Sequence, residues 1–153
     1  MNKNKTSSNM TRSSSFNTSN TSIVVQFTVY TNEEYLSDFL NTLEENNLNI
    51  SAYYLSEDNK KLKFVFIVGE DDFQSSSDVN IARGILTQKR FKFDETKVVR
   101  LSSPGEIGLF AYNYNELIKT LTVYNSYLGE DGSIIYETCC PTKTLKVINE
   151  LSL

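Results

Sequence analysis

At 153 residues the chain can form one ordinary domain or two very small ones. Fifteen Lys and Arg against nineteen Asp and Glu give a net charge of −4, and there is no histidine. The missing histidine removes Ser-His and Cys-His catalysis and the commonest zinc ligand, and the acidic balance opposes nonspecific binding along a nucleic-acid backbone.

Residues 1–22 hold seven Ser, four Thr and five Asn, with Phe16 as the only aromatic residue. Such a stretch cannot bury enough apolar surface to offset its ordering entropy, so a disordered tail is expected there. It has no apolar run of the kind that makes a secretory signal. Nowhere does the sequence reach the ~18 apolar residues of a membrane span. A soluble cytoplasmic protein is therefore expected, with no membrane and no nucleic acid among its partners.

Residues 23–29 are β-branched and aromatic, which predicts a buried strand. Thr31 or Asn32 can cap the helix that follows. Leu36, Phe39, Leu40 and Leu43 then make one apolar stripe. A strand is expected over 49–55, a turn over 57–60 and another strand over 61–68. Leu62, Phe64, Phe66 and Val68 share one face of that last strand, and Val65 and Ile67 share the other. Apolar residues on both faces place it centrally or under a partner. An acidic loop over 69–77, with Glu70, Asp71 and Asp72, has too little ligand spacing for a metal site. A helix over 78–89 and a short strand over 91–93 complete this half.

The second half repeats the order. A strand over 97–102 leads to Pro104, which suits the first position of a helix because its missing N–H costs nothing there. Ile107, Phe110, Ala111, Tyr114, Leu117 and Ile118 are its expected buried stripe. A hairpin over 122–140, turning at 129–132, and a helix from Pro141 with Leu145, Ile148 and Leu151 inward end the chain. Cys139 and Cys140 are adjacent, and on a strand their sulfurs point to opposite faces. They are read as two small free thiols in a reducing compartment.

The halves also echo each other in residues. Ile23-Val24-Val25 is matched by Lys97-Val98-Val99, and Tyr54-Leu55-Ser56-Glu57-Asp58 by Tyr127-Leu128-Gly129-Glu130-Asp131, at offsets of 74 and 73. A period that long is a domain-sized duplication. The expected organisation is a tail over 1–22, one unit over 23–96 and a second over 97–153. The fold class is α+β, two ferredoxin-like split βαβ modules in tandem, the second lacking its last strand. The uncovered sheet face of each module needs cover from its sister or from a second chain.

Val98-Val99-Arg100-Leu101-Ser102-Ser103-Pro104-Gly105-Glu106-Ile107-Gly108 resembles the strand, Pro-Gly loop and helix start of ACT domains. The following 122–127 stretch looks like that family's second strand. The resemblance spans about residues 22–153 and implies a tandem ACT-type regulatory protein without catalytic activity. Such a protein would bind an amino acid or similar small effector between modules, with no cofactor and no metal. A homo-oligomer, most simply a dimer, would be modulated by the ligand. The implied ligand-binding residues are Ser102, Ser103, Pro104, Gly105, Glu106 and Ile107. Asn125, Ser126, Tyr127 and Tyr53 come from the strands that would close over the ligand. The physical basis is a helix start that offers free backbone N–H groups to a carboxylate. Module one departs from the pattern. It carries Tyr30-Thr31-Asn32-Glu33-Glu34 in place of the Pro-Gly loop, so a poor amino-acid site is expected there.

Two other readings stand beside this one. One is a purely structural module in which Pro104-Gly105 only starts a helix, and Tyr53, Tyr54, Tyr124 and Tyr127 pack one module on the other. The other is an RNA-binding split βαβ domain stacking bases on Phe64 and Phe66, although flanking basic residues are missing.

Overall fold

The computed structural model describes residues 20–70, 73–102 and 108–151. In chain order the elements are β1 (Thr21–Thr31), α1 (Glu33–Glu45), β2 (Ile50–Asp58), β3 (Lys61–Val68), α2 (Ser76–Gln88), β4 (Lys92–Leu101), α3 (Leu109–Leu117), β5 (Val123–Leu128), β6 (Ile134–Thr138) and α4 (Pro141–Leu151). The strands form one antiparallel sheet of order β2-β3-β1-β4-β6-β5. β1 to β4 with α1 and α2 make a complete split βαβ unit. β4, β5 and β6 with α3 and α4 repeat its order up to the last strand.

The place of that last strand is taken by β1. Ten residue pairs join β1 to β4, from Thr21 opposite Leu101 to Tyr30 opposite Lys92. In the first unit this ladder joins first strand to last. In the second unit β4 is the first strand and β1 stands where the fourth would be. One ladder thus completes both units. Strands expected separately over 91–93 and 97–102 are the single strand β4, because β1 supplies partners along its whole length. For the same reason Thr21 and Ser22, read as the end of the tail, belong to β1. Residues 1–19 lie outside the described residues.

Alternation along the two shared strands sorts the side chains. Phe27 and Val29 join Phe64, Phe66, Val68 and the inner faces of α1 and α2 in one core. Val99, Leu101, Ile134 and Tyr136 meet Leu117 of α3 and Ile148 of α4 in a second. Val24, Ala52, Ile67, Val98 and Ile135 point to the opposite face and form a third. No separate sister sheet covers that face, because all six strands belong to one sheet. The sheet curls until its outer strands meet. Glu130 N–H donates to Ser51 O at 2.9 Å, Ala52 and Gly129 form an antiparallel bridge, and the Tyr54 and Tyr127 rings lie 5.0 Å apart. Curling of this kind follows from the right-handed twist of strands and removes part of the exposed edge.

Local signals explain the helices. Asn32 caps α1 by accepting from Tyr35 N–H at 2.9 Å, and Ser75 caps α2 by accepting from Asp78 N–H at 3.0 Å. Gln74 stands in for missing ladder bonds below the β1–β3 pairing. Its side-chain oxygen accepts from Val25 N–H at 2.7 Å, and its Nε2 donates to Val25 O and Val68 O. α3 departs from expectation. Asn113 and Leu117 are its buried residues, whereas Phe110, Tyr114 and Ile118 are more than a third exposed. The helix is apolar or aromatic nearly all round, so its sequence gave no unique inward face. Phe110 and Tyr114 stack on each other at 5.9 Å instead. Cys139 and Cys140, expected as free thiols, are bonded to each other.

A side chain at Gly129 would place its Cβ 3.0 Å from Ser51 O and 3.5 Å from Ala52 Cβ. Gly129→Val should wedge the β2–β5 closure open and lower the unfolding free energy by about 1–3 kcal/mol. Urea unfolding and amide exchange at Glu130 measure this. Wild-type stability together with wild-type protection would show that the two outer strands do not meet.

Candidate functional site

The site begins where β4 ends. Ser102 extends that strand by one bond, its N–H donating to Asn20 O at 2.7 Å. Ser103, Pro104, Gly105, Glu106 and Ile107 lie outside the described residues. Gly108 resumes the chain with φ +83° and caps α3 without any side-chain hydrogen bond. Glycine accepts that left-handed backbone at little cost. It also leaves the first N–H groups of α3 without the oxygen that Asn32 and Ser75 give α1 and α2.

Two buried polar atoms lie close by. The Phe110 ring, in the first turn of α3, stacks on Tyr136 with centroids 6.1 Å apart and planes 5° apart. Tyr136 is fully buried and Asn113, one turn further along, is nearly so. Neither Asn113 Nδ2 nor Tyr136 Oη has a strict hydrogen-bond partner among the described residues. Burial pushes the Tyr136 phenol up, opposed in part by the nearby Asn113 amide. That opposition is a weak hydrogen bond from the Asn113 amide to the Tyr136 oxygen, outside strict bonding geometry. Buried polar atoms without partners are rare and costly, about 1–3 kcal/mol each.

Of the strand residues expected to close over a ligand, Asn125 and Tyr127 sit in the seam between β2 and β5. Tyr127 is two strands from Arg100 along one cross-strand row, through Ile135. Its hydroxyl donates to Gln26 Oε1 at 2.7 Å, and Gln26 Nε2 donates to Glu137 Oε1 at 3.0 Å. Asn125 Nδ2 donates to the Tyr54 hydroxyl, and Ser126 Oγ donates to Ile135 O at 2.7 Å. Arg100 is buried in the same interior, donating to Ser51 Oγ and, at 3.1 Å, to Glu70 O. Tyr53 alternates to the other side of β2, half exposed against Phe64. The structure therefore brings Asn125 and Tyr127 together with Tyr54 and Gln26, and leaves Tyr53 apart from them.

Arg100, Gln26, Asn113 and Tyr136 were not singled out from sequence. Arg100 and Gln26 did leave a signal, as single polar residues within Val-Val-Arg-Leu and Val-Val-Gln-Phe strands. Asn113 left none, since a lone Asn on a helix reads as solvated. Phe64 and Phe66 lie buried under α1 and α2, so they offer no ring face to RNA bases. Among the described residues no group of three or more His, Cys, Asp or Glu is placed to hold a metal, and no helix is long and apolar enough to cross a membrane.

No family model and no curated protein matches the chain. Solved structures do. Protein BT0572 from Bacteroides thetaiotaomicron superposes with a TM-score of 0.69 at 22% identity, over 87% of this chain and 91% of that one. Aspartokinase alpha and beta subunits superpose with a TM-score of 0.56 at 12% identity, over 85% and 95% of the two chains. The ligand-free regulatory subunit of aspartate kinase from Thermus thermophilus gives a TM-score of 0.54 at 9% identity, again over 85% and 95%. At these identities the likeness is one of fold. The chain has the α+β architecture of ferredoxin-like split βαβ modules, with six antiparallel strands and four helices among the described residues.

Burial raises the Tyr127 phenol far above its ordinary range. Tyr54 and Glu137 add to that rise, and Arg100 opposes it. A raised folded-state pKa means that the folded chain holds its proton longer than the unfolded one. The stability contributed is full below the ordinary phenol value of about 10 and falls as pH climbs above it. Ultraviolet titration should show the Tyr127 and Tyr136 phenols ionising only together with alkaline unfolding, and Tyr127→Phe should flatten the loss of stability above about pH 10. Nine tyrosines ionising in one step while the chain stays folded would contradict this placement.

Proposed function

We propose that the chain is a non-catalytic regulatory module that binds an amino acid or a similar small effector at the 102–107 bend. Occupancy would modulate self-assembly, most simply dimerisation, or the hold on a partner. One observation carries the reading. Among the described residues the start of α3 has no side-chain cap, and its first turn covers two buried polar atoms without strict hydrogen-bond partners, Asn113 Nδ2 and Tyr136 Oη. A carboxylate at the α3 N-terminus would accept from the free backbone N–H groups and lie along the helix dipole. Asn113 and Tyr136 supply an amide donor and a hydroxyl for a second polar group of the effector. The aspartokinase structures support the reading by fold, and one of them is described as a regulatory subunit. Glu106 sits within the bend in sequence and suits an ammonium group better than a second carboxylate.

The seam residues then have a different part. Asn125, Tyr54 and Tyr127 spend their hydrogen bonds inside the curled sheet, whereas Ser126 alternates to the Tyr136 side of β5 and donates to Ile135 O. The first three hold the outer strands of the curled sheet together and are assigned no contact with the effector. This favours the structural role of those tyrosines over ligand stacking.

A thermal-shift screen of the twenty amino acids tests the reading. An effector at a hundred times its dissociation constant adds about 2.7 kcal/mol, or roughly 5–10 °C for a chain of this size. Gly105→Asp should abolish the shift. Asn113→Leu should also abolish it, while leaving the unliganded protein as stable as before or more so by about 1 kcal/mol, because an unpaired buried amide is removed. The regulatory reading falls if no amino acid raises the melting temperature.

A further inference from the structure

A separate cleft of about 650 Å³ opens at the other end of the sheet, in the first unit. It lies where β1 passes into α1, β2 turns into β3 and α2 returns to β4. The ten residues of β4 separate it from Ser102, about 30 Å of extended chain. Five cations line it, Lys60, Lys61, Lys89, Arg90 and Lys92, against a single carboxylate, Asp38. They are a third of the chain's Lys and Arg, gathered at one place in a protein whose net charge is −4. Asp38 is occupied by Lys89 at 2.7 Å. Lys60, Lys61, Arg90 and Lys92 have no carboxylate partner among the described residues. Glu33, in the first turn of α1, lines a different groove with Leu36 and Leu62.

Two of these cations stand where glycine would serve the backbone better. Asn59 and Lys60 have φ +55° and +70° at the hairpin turn between β2 and β3. Two positive φ values fit a type I′ turn, whose second central residue is most often glycine. The sister hairpin carries Gly132 at φ +85°. Arg90 has φ +61° just past the end of α2, with Arg90 N–H donating to Thr87 O and Phe91 N–H to Leu86 O. That is a Schellman ending, where glycine is usual. Both positions spend conformational energy on a charged side chain, and crowding like charges spends more. Backbone outliers of this kind mark sites where function outweighs stability. The cleft also offers aromatic surface. Tyr35 is 60% exposed, Tyr30 borders the same space, and Phe91 is held edge-on by Phe39 at 5.3 Å.

We propose that this cleft binds a nucleoside di- or triphosphate. Lys60, Lys61, Arg90 and Lys92 would take the phosphates, and Tyr35 would take the base. Four unpaired cations suit a ligand of several negative charges better than a monocarboxylate. The site is distinct from the bend at Ser102 and does not depend on an amino acid binding there.

Isothermal titration of the full chain with ATP and with sodium pyrophosphate, at low salt and with no divalent metal added, tests it. Both should bind, more weakly as salt rises, and ATP more tightly by about five- to tenfold through base stacking. Lys60→Gly and Arg90→Gly should each weaken ATP about tenfold while raising the melting temperature, so that lost binding cannot be lost folding. Tyr35→Ala should weaken ATP and spare pyrophosphate. Absence of saturable binding by either probe overturns the proposal, as do glycine variants that bind like the wild type. Equal affinity for ATP and pyrophosphate overturns the assignment of a nucleoside.

Discussion

The ladder between β1 and β4 is the constraint from which the rest of the structure follows. Its ten pairs lie at the centre of the sheet, with β3 and β2 on one side and β6 and β5 on the other. Without β1 the second unit would present the bare edge of β4 to solvent, with unpaired N–H and C=O groups. Without β4 the first unit would lose its fourth strand. The duplication therefore does not produce two independent domains placed side by side. Neither half has a full set of backbone partners alone, so the two should fold as one cooperative body.

The same ladder fixes what each face holds. A shift of one residue would exchange Phe27, Val29, Val99 and Leu101 with Val24, Gln26, Val98 and Arg100. The first set fills the two cores beneath the helices. The second set lies in the interior of the curled sheet, where Arg100 and Gln26 find Ser51, Tyr127 and Glu137. Buried polar groups cost most when left without partners, so these bonds select one register strongly. They also explain why the tyrosines of β2 and β5 face inward at Tyr54 and Tyr127 and outward at Tyr53 and Tyr124.

β4 also spaces the two candidate sites. Its first residue, Lys92, borders the cationic cleft, and its last leads through Ser102 to the bend before α3. One end gathers side-chain charge, with positive-φ positions given to Lys60 and Arg90. The other offers backbone N–H groups at a helix start, above Asn113 and Tyr136. Their chemistries differ, with many positive charges at one end and a few polar donors at the other, and so do the ligands each would favour.

Much of this was legible in the residues. Period-2 alternation in Leu62, Phe64, Phe66 and Val68, and the stripe of Leu36, Phe39 and Leu43, fixed strand and helix faces because burial acts on each element's own repeat. The duplicated order of elements carried the split βαβ units and the missing last strand. The inward face of α3 was not legible, since Phe110, Tyr112, Tyr114 and Leu117 spread apolar surface around the helix and leave no single apolar face. Three-dimensional structure alone decided which strand fills the empty slot, because that partner lies 62 to 80 residues upstream and backbone pairing carries no residue code. It alone closed the sheet on itself, since twist accumulates over six strands and is written in none of them. And it alone gathered Lys60, Lys61, Arg90 and Lys92 into one cleft, because charges on separate turns become neighbours only when the ends of the strands between them are brought into line.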